Sequence, residues 1–183
     1  YRDVVMVTIG TGIGGGILTE GRLLTGVRGI AGELGHFPIR ADGELCSCGN
    51  RGCYEKYAST TALVNMVRDR ADELVPDISA DHIDGQLIFN RVSQGDTALR
   101  SVVSEWITSI TLGLVGLIHI FNPQLVLIGG GVSQQEDLFI EPLRKQIFSY
   151  TMPGFCKDLI IKSAQLGNNA GLLGAVAYLK NLF

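Results

Sequence analysis

The chain has 183 residues, of which 46% are hydrophobic and 18% charged, with a formal net charge of −3 and a pI near 5.6. That length suits one domain or one large lobe, able to bury about two-thirds of its unfolded surface without help from disulfides. The composition excludes a disordered chain, and the acidic balance argues against a nucleic-acid or anionic-membrane surface on this segment.

The chain opens Tyr1-Arg2-Asp3 with no charged stretch before an apolar run, so no signal peptide is expected and a cytoplasmic location is. The missing initiating Met, and a start close to strand-like sequence, are what a segment lacking its upstream part would show. Val4 to Ile9 is apolar and β-branched and predicts a buried strand running into glycines. Gly10-Thr11-Gly12-Ile13-Gly14-Gly15 matches the dinucleotide fingerprint letter for letter. That fingerprint requires a helix to begin inside the loop. The run Gly14-Gly15-Gly16 would cost such a helix about 1 kcal/mol per glycine relative to alanine. A glycine-rich hairpin is predicted instead, with Glu20-Gly21 turning Ile17–Thr19 back along Arg22–Leu24. Its free N–H groups and the Thr11 hydroxyl can nest phosphate oxygens. A tight hairpin with no ligand is the alternative.

Residues 26 to 53 read as loop. Within them His36 precedes three cysteines, Cys46, Cys48 and Cys53. Three thiolates and an imidazole are the ligand set of a closed tetrahedral zinc site, and glycines between the ligands let a short loop fold inward. A disulfide cluster is the weaker alternative, because Cys46 and Cys48 stand too close to pair without strain. The spacing is not that of a zinc finger.

A helix is predicted from Glu55 to Leu74, stopped by Pro76, followed by a polar connector from Asp77 to Asp84. Helices are predicted at Gln86–Gln94 and Thr97–Phe121. The second becomes apolar all round beyond Leu112, and Gly113 and Gly116 would permit close packing. Its most apolar part, from Trp106 to Phe121, falls short of the roughly 20 apolar residues of a membrane span, so a buried helix is expected. Leu125 to Ile128 predicts a buried strand ending in Gly129-Gly130-Gly131. Bare backbone there suits a nucleoside lying against it beyond the strand's carboxyl end. A loop kept small for packing is the alternative. Helix at Gln135–Ser149, strand at Leu159–Ser163 and a final helix at Ala170–Lys180 complete the prediction, with Cys156 a core or surface thiol.

In this order the elements resemble the ROK family of bacterial sugar kinases and related repressors. The residues that carry the resemblance are Thr8 to Gly16, Gly32-Glu33-Leu34-Gly35-His36, Cys46-x-Cys48-Gly49-x-x-Gly52-Cys53-x-Glu55, Gly129-Gly130-Gly131-Val132-Ser133 and Asn168-Asn169-Ala170-Gly171. The resemblance spans essentially residues 1–183 and matches the C-terminal lobe of that family, with residues 26–55 as its zinc and sugar loop. It implies an α/β, actin-like (ribonuclease-H-like) ATPase fold with sugar and ATP bound between two lobes, Mg²⁺ accompanying the ATP, and a homodimer. It further implies that Glu33 and Glu55 accept hydrogen bonds from hexose hydroxyls and that His36 ligates zinc while also facing the sugar. A surface charge, or for Glu55 a favourable place in the first turn of its helix, is the alternative reading of the two acids.

The hairpin, Gly10, Thr11, Gly12, Ile13, Gly14, Gly15 and Gly16, would then contact the phosphates, and Gly129, Gly130 and Gly131 the adenosine. The family's Asp-x-Gly-Gly-Thr loop and the aspartate that acts as general base do not occur in this sequence, so the catalytic base is expected upstream. The resemblance leaves two functions open, a hexose kinase and the sugar-sensing lobe of a repressor. The intact hairpin favours the first, and nothing in the sequence names the sugar.

Overall fold

The computed structural model describes residues 1–180. Its centre is β1 (Val4–Ile9), where Val5, Val7 and Ile9 are fully buried. A run of β-branched residues suits such a strand because the stiff side chains fill a pleated surface with little entropy to lose. The chain turns through Gly10–Gly12 into β2 (Ile13–Thr19), antiparallel to β1 with Ile9 opposite Ile13, and then into the two-residue β3 (Arg22–Leu23). On the other side β1 pairs in parallel with β4 (Leu125–Gly129), which pairs in parallel with β5 (Ile160–Ser163). The result is one mixed sheet in the order β3-β2-β1-β4-β5. The predicted hairpin, buried strands and glycine-ended β4 are all present.

The region predicted as one helix from Glu55 to Leu74 is three. They are α1 (Glu55–Ala58), α2 (Thr60–Arg68) and α3 (Ala71–Leu74). Ser59 breaks the run. It is extended, its hydroxyl accepts from the Ala62 N–H at 3.1 Å, and its carbonyl accepts from the Trp106 indole N–H at 2.9 Å. An N-cap of this kind stabilises a helix start by about 1 kcal/mol. A distant tryptophan thereby fixes where α2 begins.

The connector holds one helical turn at Ala80–His82 and leads to α4 (Gly85–Ser93) and α5 (Thr97–Phe121). Asp84 and Asp96 cap these helices through the N–H groups of Leu87 and Leu99. With α5 at 25 residues, it is long and apolar enough to cross a membrane by length and composition, yet Trp106, Ile110, Leu114 and Ile118 lie buried in the core. The Gln135–Ser149 prediction also divides, into a π-type turn at Glu136–Ile140 and α6 (Glu141–Tyr150). Pro142 has no N–H for a continuous ladder, and its ring crowds the preceding turn. A one-turn helix, α7 (Pro153–Cys156), was not foreseen, and α8 (Ala170–Lys180) closes the described chain.

The two helix glycines differ. A methyl at Gly113 would meet the Tyr54 ring at 2.3 Å, whereas at Gly116 it would meet nothing within 4 Å. Only Gly113 serves close packing, and Gly113→Ala is expected to lower stability by about 1–3 kcal/mol in urea unfolding. Tyr54 is wholly buried, with its hydroxyl donating to the Ile110 carbonyl at 2.8 Å, and burial drives its pKa far above the ordinary phenol value.

Candidate functional site

Two parallel neighbours, β1 and β4, end side by side, with Thr8 opposite Gly129. The hairpin tip and the Gly129–Gly131 loop therefore leave the same sheet edge, the edge at which open α/β sheets bind ligands. Gly130 has φ +93°, and a Cβ there would lie 2.0 Å from the Ile9 carbonyl oxygen. No other residue type fits so close a crossing of the two strand ends. Beyond it, Ser133 turns back on the Gly130 carbonyl with its hydroxyl at 2.7 Å.

The hairpin is less open than a nest of free amides. Gly14, Gly15 and Gly16 pair with Thr8, Val7 and Met6 in the ladder. The Gly10 N–H donates to the Gly12 carbonyl at 3.0 Å, and the Ile13 N–H donates to Glu55 Oε2 at 2.8 Å. Among the described residues no acceptor meets the Thr11 or Gly12 N–H, so these two remain for an anion. The N-terminus of α2 abuts the tip: the Thr60 N–H donates to the Gly10 carbonyl and the Thr61 hydroxyl to the Thr11 carbonyl, each at 2.8 Å. With Thr60 paired to Gly10 and Ala62 to Ser59, the Thr61 N–H is the first-turn amide left without an acceptor among the described residues, and it and the helix dipole favour negative charge.

Between the two glycine loops opens a cavity of about 710 Å³, into which Gly10, Thr11, Thr61, Asn65, Phe89 and Gly131 face. That volume lies within the range of small-molecule sites, about 300–1,000 Å³. Thr61, Asn65 and Phe89 drew no functional reading from the sequence. The only local signal was the polar run Ser59-Thr60-Thr61, which marks a helix start and not a ligand.

The four residues predicted as metal ligands come together. The ligand atoms of His36, Cys46, Cys48 and Cys53 lie within 4.8 Å of one another. Cys46 Sγ is 3.6 Å from His36 Nδ1, and Cys48 Sγ is 3.5 Å from Cys53 Sγ. The three cysteines are unpaired, and 3.5 Å is far beyond the roughly 2.05 Å of a disulfide. Backbone bonds close the loop, with the Cys46 N–H to Asn50 at 2.8 Å and the Gly52 N–H to Glu44 at 2.9 Å. The loop is braced on α1 by a Lys56–Glu44 ion pair at 3.3 Å and by Arg40 stacked 4.3 Å over the Tyr57 ring.

The Cys48 backbone N–H is the main cause of a Cys46 pKa lowered to about 6, against the pull of burial. Burial pushes Cys53 up to about 12, and the neighbouring sulfurs add to it. The neighbouring sulfurs thus oppose ionisation of Cys53, a repulsion that a bound cation would relieve. The donor set and its spacing fit tetrahedral zinc.

Glu55 joins this loop to the hairpin. Its N–H donates to the Gly35 carbonyl at 2.9 Å while its carboxylate holds Ile13. Glu33 is exposed, and its carboxylate has no hydrogen-bond partner among the described residues. Neither acid lines the large cavity. Glu55 meets the tip at Gly12 and Ile13, and the cavity meets it at Gly10 and Thr11.

A family model described as the ROK family matches residues 1–181. A glucokinase of Thermotoga maritima is 37% identical over 186 aligned residues, which cover 98% of this chain and 59% of that protein. A xylose repressor of Caldicellulosiruptor bescii is 32% identical over 96% of this chain and 45% of its own length. The crystal structure of a ROK family glucokinase from Streptomyces griseus, in complex with glucose and AMPPNP, superposes with a TM-score of 0.87 at 36% identity, over 96% of this chain and 59% of that one. The chain thus spans about three-fifths of the length of the glucokinases it matches.

Proposed function

The chain belongs to the ROK family, and from that premise we propose that its parent protein transfers the γ-phosphoryl group of ATP to the 6-hydroxyl of a hexose. We take residues 1–183 as the C-terminal lobe of that kinase, working in the cytoplasm. One observation carries the reading: the hairpin tip meets a nucleotide-sized cavity through Gly10 and Thr11 and the zinc loop's Glu55 through Gly12 and Ile13.

Phosphoryl transfer is mostly positioning and charge stabilisation. The Thr11 and Gly12 amides and the start of α2 would hold phosphate oxygens, and Gly131 would leave room for the nucleoside. Mg²⁺, when bound with ATP, would neutralise developing charge on the phosphates. Ionised Glu33 and Glu55 accept from sugar hydroxyls and do not donate, and the zinc cluster would fix the His36 ring so that Nε2 faces the acceptor. The base for the acceptor hydroxyl would come from an aspartate outside this chain. Steady-state turnover of the full-length protein, assayed with ATP, Mg²⁺ and a panel of hexoses, is the test.

Similarity to a xylose repressor supports a second reading, a sugar-sensing lobe. Operator binding with no ATP consumption on any hexose would establish it and end the kinase proposal.

Alone, the 183-residue segment should be catalytically silent, since its cleft would lack the other wall and the base. Its α8 exposes Leu172, Leu173, Val176, Tyr178 and Leu179. Leu172, Val176 and Leu179 share one side of that helix with Leu173 beside them, and exposed apolar surface of that kind favours association, so light scattering should find a dimer or larger species. A monomer, or measurable turnover, would contradict this expectation.

A further inference from the structure

The glycine at position 12 does not simply make space for phosphate. A Cβ there would lie 2.4 Å from Glu55 Oε2 and 3.2 Å from its carboxyl carbon. The volume that Gly12 leaves bare is already filled by a carboxylate. The same oxygen receives the Ile13 N–H at 2.8 Å, and Oε1 has no hydrogen-bond partner among the described residues. Glu55 is also held from behind, because its own N–H donates to Gly35. Gly35 in turn is so tight against β2 that a Cβ there would meet the Ile13 carbonyl oxygen at 2.6 Å. Hairpin tip and zinc loop therefore interlock at a single residue.

We propose that Glu55 is a positioning residue that couples the acceptor site to the phosphate hairpin, with Oε2 fixing the tip through Ile13 while Oε1 is left for an acceptor hydroxyl. This rests on the kinase reading for the identity of the acceptor, but the hold on Ile13 does not. A hydroxyl on Oε1 orders the carboxylate, and an ordered carboxylate orders the tip, so acceptor and nucleotide bind with positive coupling. By thermodynamic linkage each must raise the affinity of the other by the same factor.

The test uses the full-length protein and two variants. Glu55→Gln keeps a carbonyl oxygen able to accept from Ile13 but is a poorer partner for a hydroxyl donor. Glu55→Ala removes both. In Glu55→Ala, the KM for ATP at saturating hexose should rise about tenfold or more, the loss of one hydrogen bond to a charged group. In Glu55→Gln it should stay within about twofold while the hexose KM rises about tenfold, because the amide conserves only the Ile13 side of the contact.

A second readout is independent of activity. Amide exchange of Ile13 should speed up about tenfold or more in Glu55→Ala and stay protected in Glu55→Gln, with Val5 and Val7 unchanged as reporters of an intact sheet. Unchanged Ile13 protection in Glu55→Ala overturns the proposal whatever the activity. An equal rise of both KM values in the two variants overturns the coupling. Loss of Ile13 protection in a protein that turns over no hexose would keep the hold on the hairpin and remove the kinase reading.

Discussion

Cys53→Ala should strip the chain of its metal and unfold residues 32–55 while leaving the sheet standing. Cys53 is completely buried, and its sulfur lies 3.5 Å from that of Cys48. Loss of a supporting contact outside the ligand shell costs about 10–100-fold in metal affinity, and loss of a ligand removes a bond to the ion itself. Apart from the metal, the loop is held by scattered backbone bonds and by the Lys56–Glu44 and Arg40–Tyr57 contacts, with no regular ladder. Its two backbone bridges, Pro38 with Cys53 and Leu45 with Arg51, are isolated pairs, and no helix lies before α1 begins at Glu55. Metal binding in such a loop is folding free energy. Leu34 and Tyr54 of this segment belong to the shared core, but β1 and β4 pair directly with each other, so the sheet amides should keep their protection while those of Cys46 and Gly52 lose it. Elemental analysis with amide exchange reads both effects, and Cys156→Ala, remote from the cluster, is the control. Full zinc content in Cys53→Ala would refute the ligand assignment.

The sequence revealed β1, α5 and the metal loop because each is written in neighbouring residues: a β-branched run, a long apolar periodicity, a cluster of soft ligands. The helix break at Ser59 was hidden because its cause is 47 residues away, in the Trp106 indole. Glycine was legible as bareness, but not as what fills the bare space. At Gly15 that space belongs to Leu34, at Gly14 to the Thr8 hydroxyl and at Gly12 to Glu55. Only Gly10 and Gly16 of the hairpin glycines have nothing within 4 Å of where a Cβ would stand. Room for a Cβ and freedom of an amide are therefore separate properties, and Gly12 shows it by being filled on its Cβ side while its N–H stays unpaired among the described residues. Glu55 is the extreme case. Its local setting, the first turn of a helix, says nothing of a bond to Ile13.

The β4 loop allows that distinction to be measured, because two adjacent glycines should answer differently to the same methyl group. Gly130→Ala should damage the fold. It would place a Cβ 2.0 Å from the Ile9 carbonyl oxygen and 2.7 Å from its carbon, at φ +93°. At ψ 168° this backbone lies in a region essentially reserved for glycine, which costs a side chain about 1–3 kcal/mol, and overpacking costs about 1–3 kcal/mol, so a loss of about 2–6 kcal/mol is expected. Relief requires prising the end of β4 from the end of β1, which would also displace the Ser133 turn and the cavity wall. Nucleotide binding should fall with it. Gly131→Ala meets nothing within 4 Å, so stability should be unchanged. If the loop lies against a nucleoside, the same methyl projects into the cavity and should weaken binding of a non-hydrolysable ATP analogue about tenfold or more. Urea unfolding and analogue titration of the full-length variants separate the two. Should Gly131→Ala bind the analogue as tightly as the parent, close packing at the strand ends would account for Gly129 and Gly130 alone, and the nucleoside would have to be sought along α2 and α4.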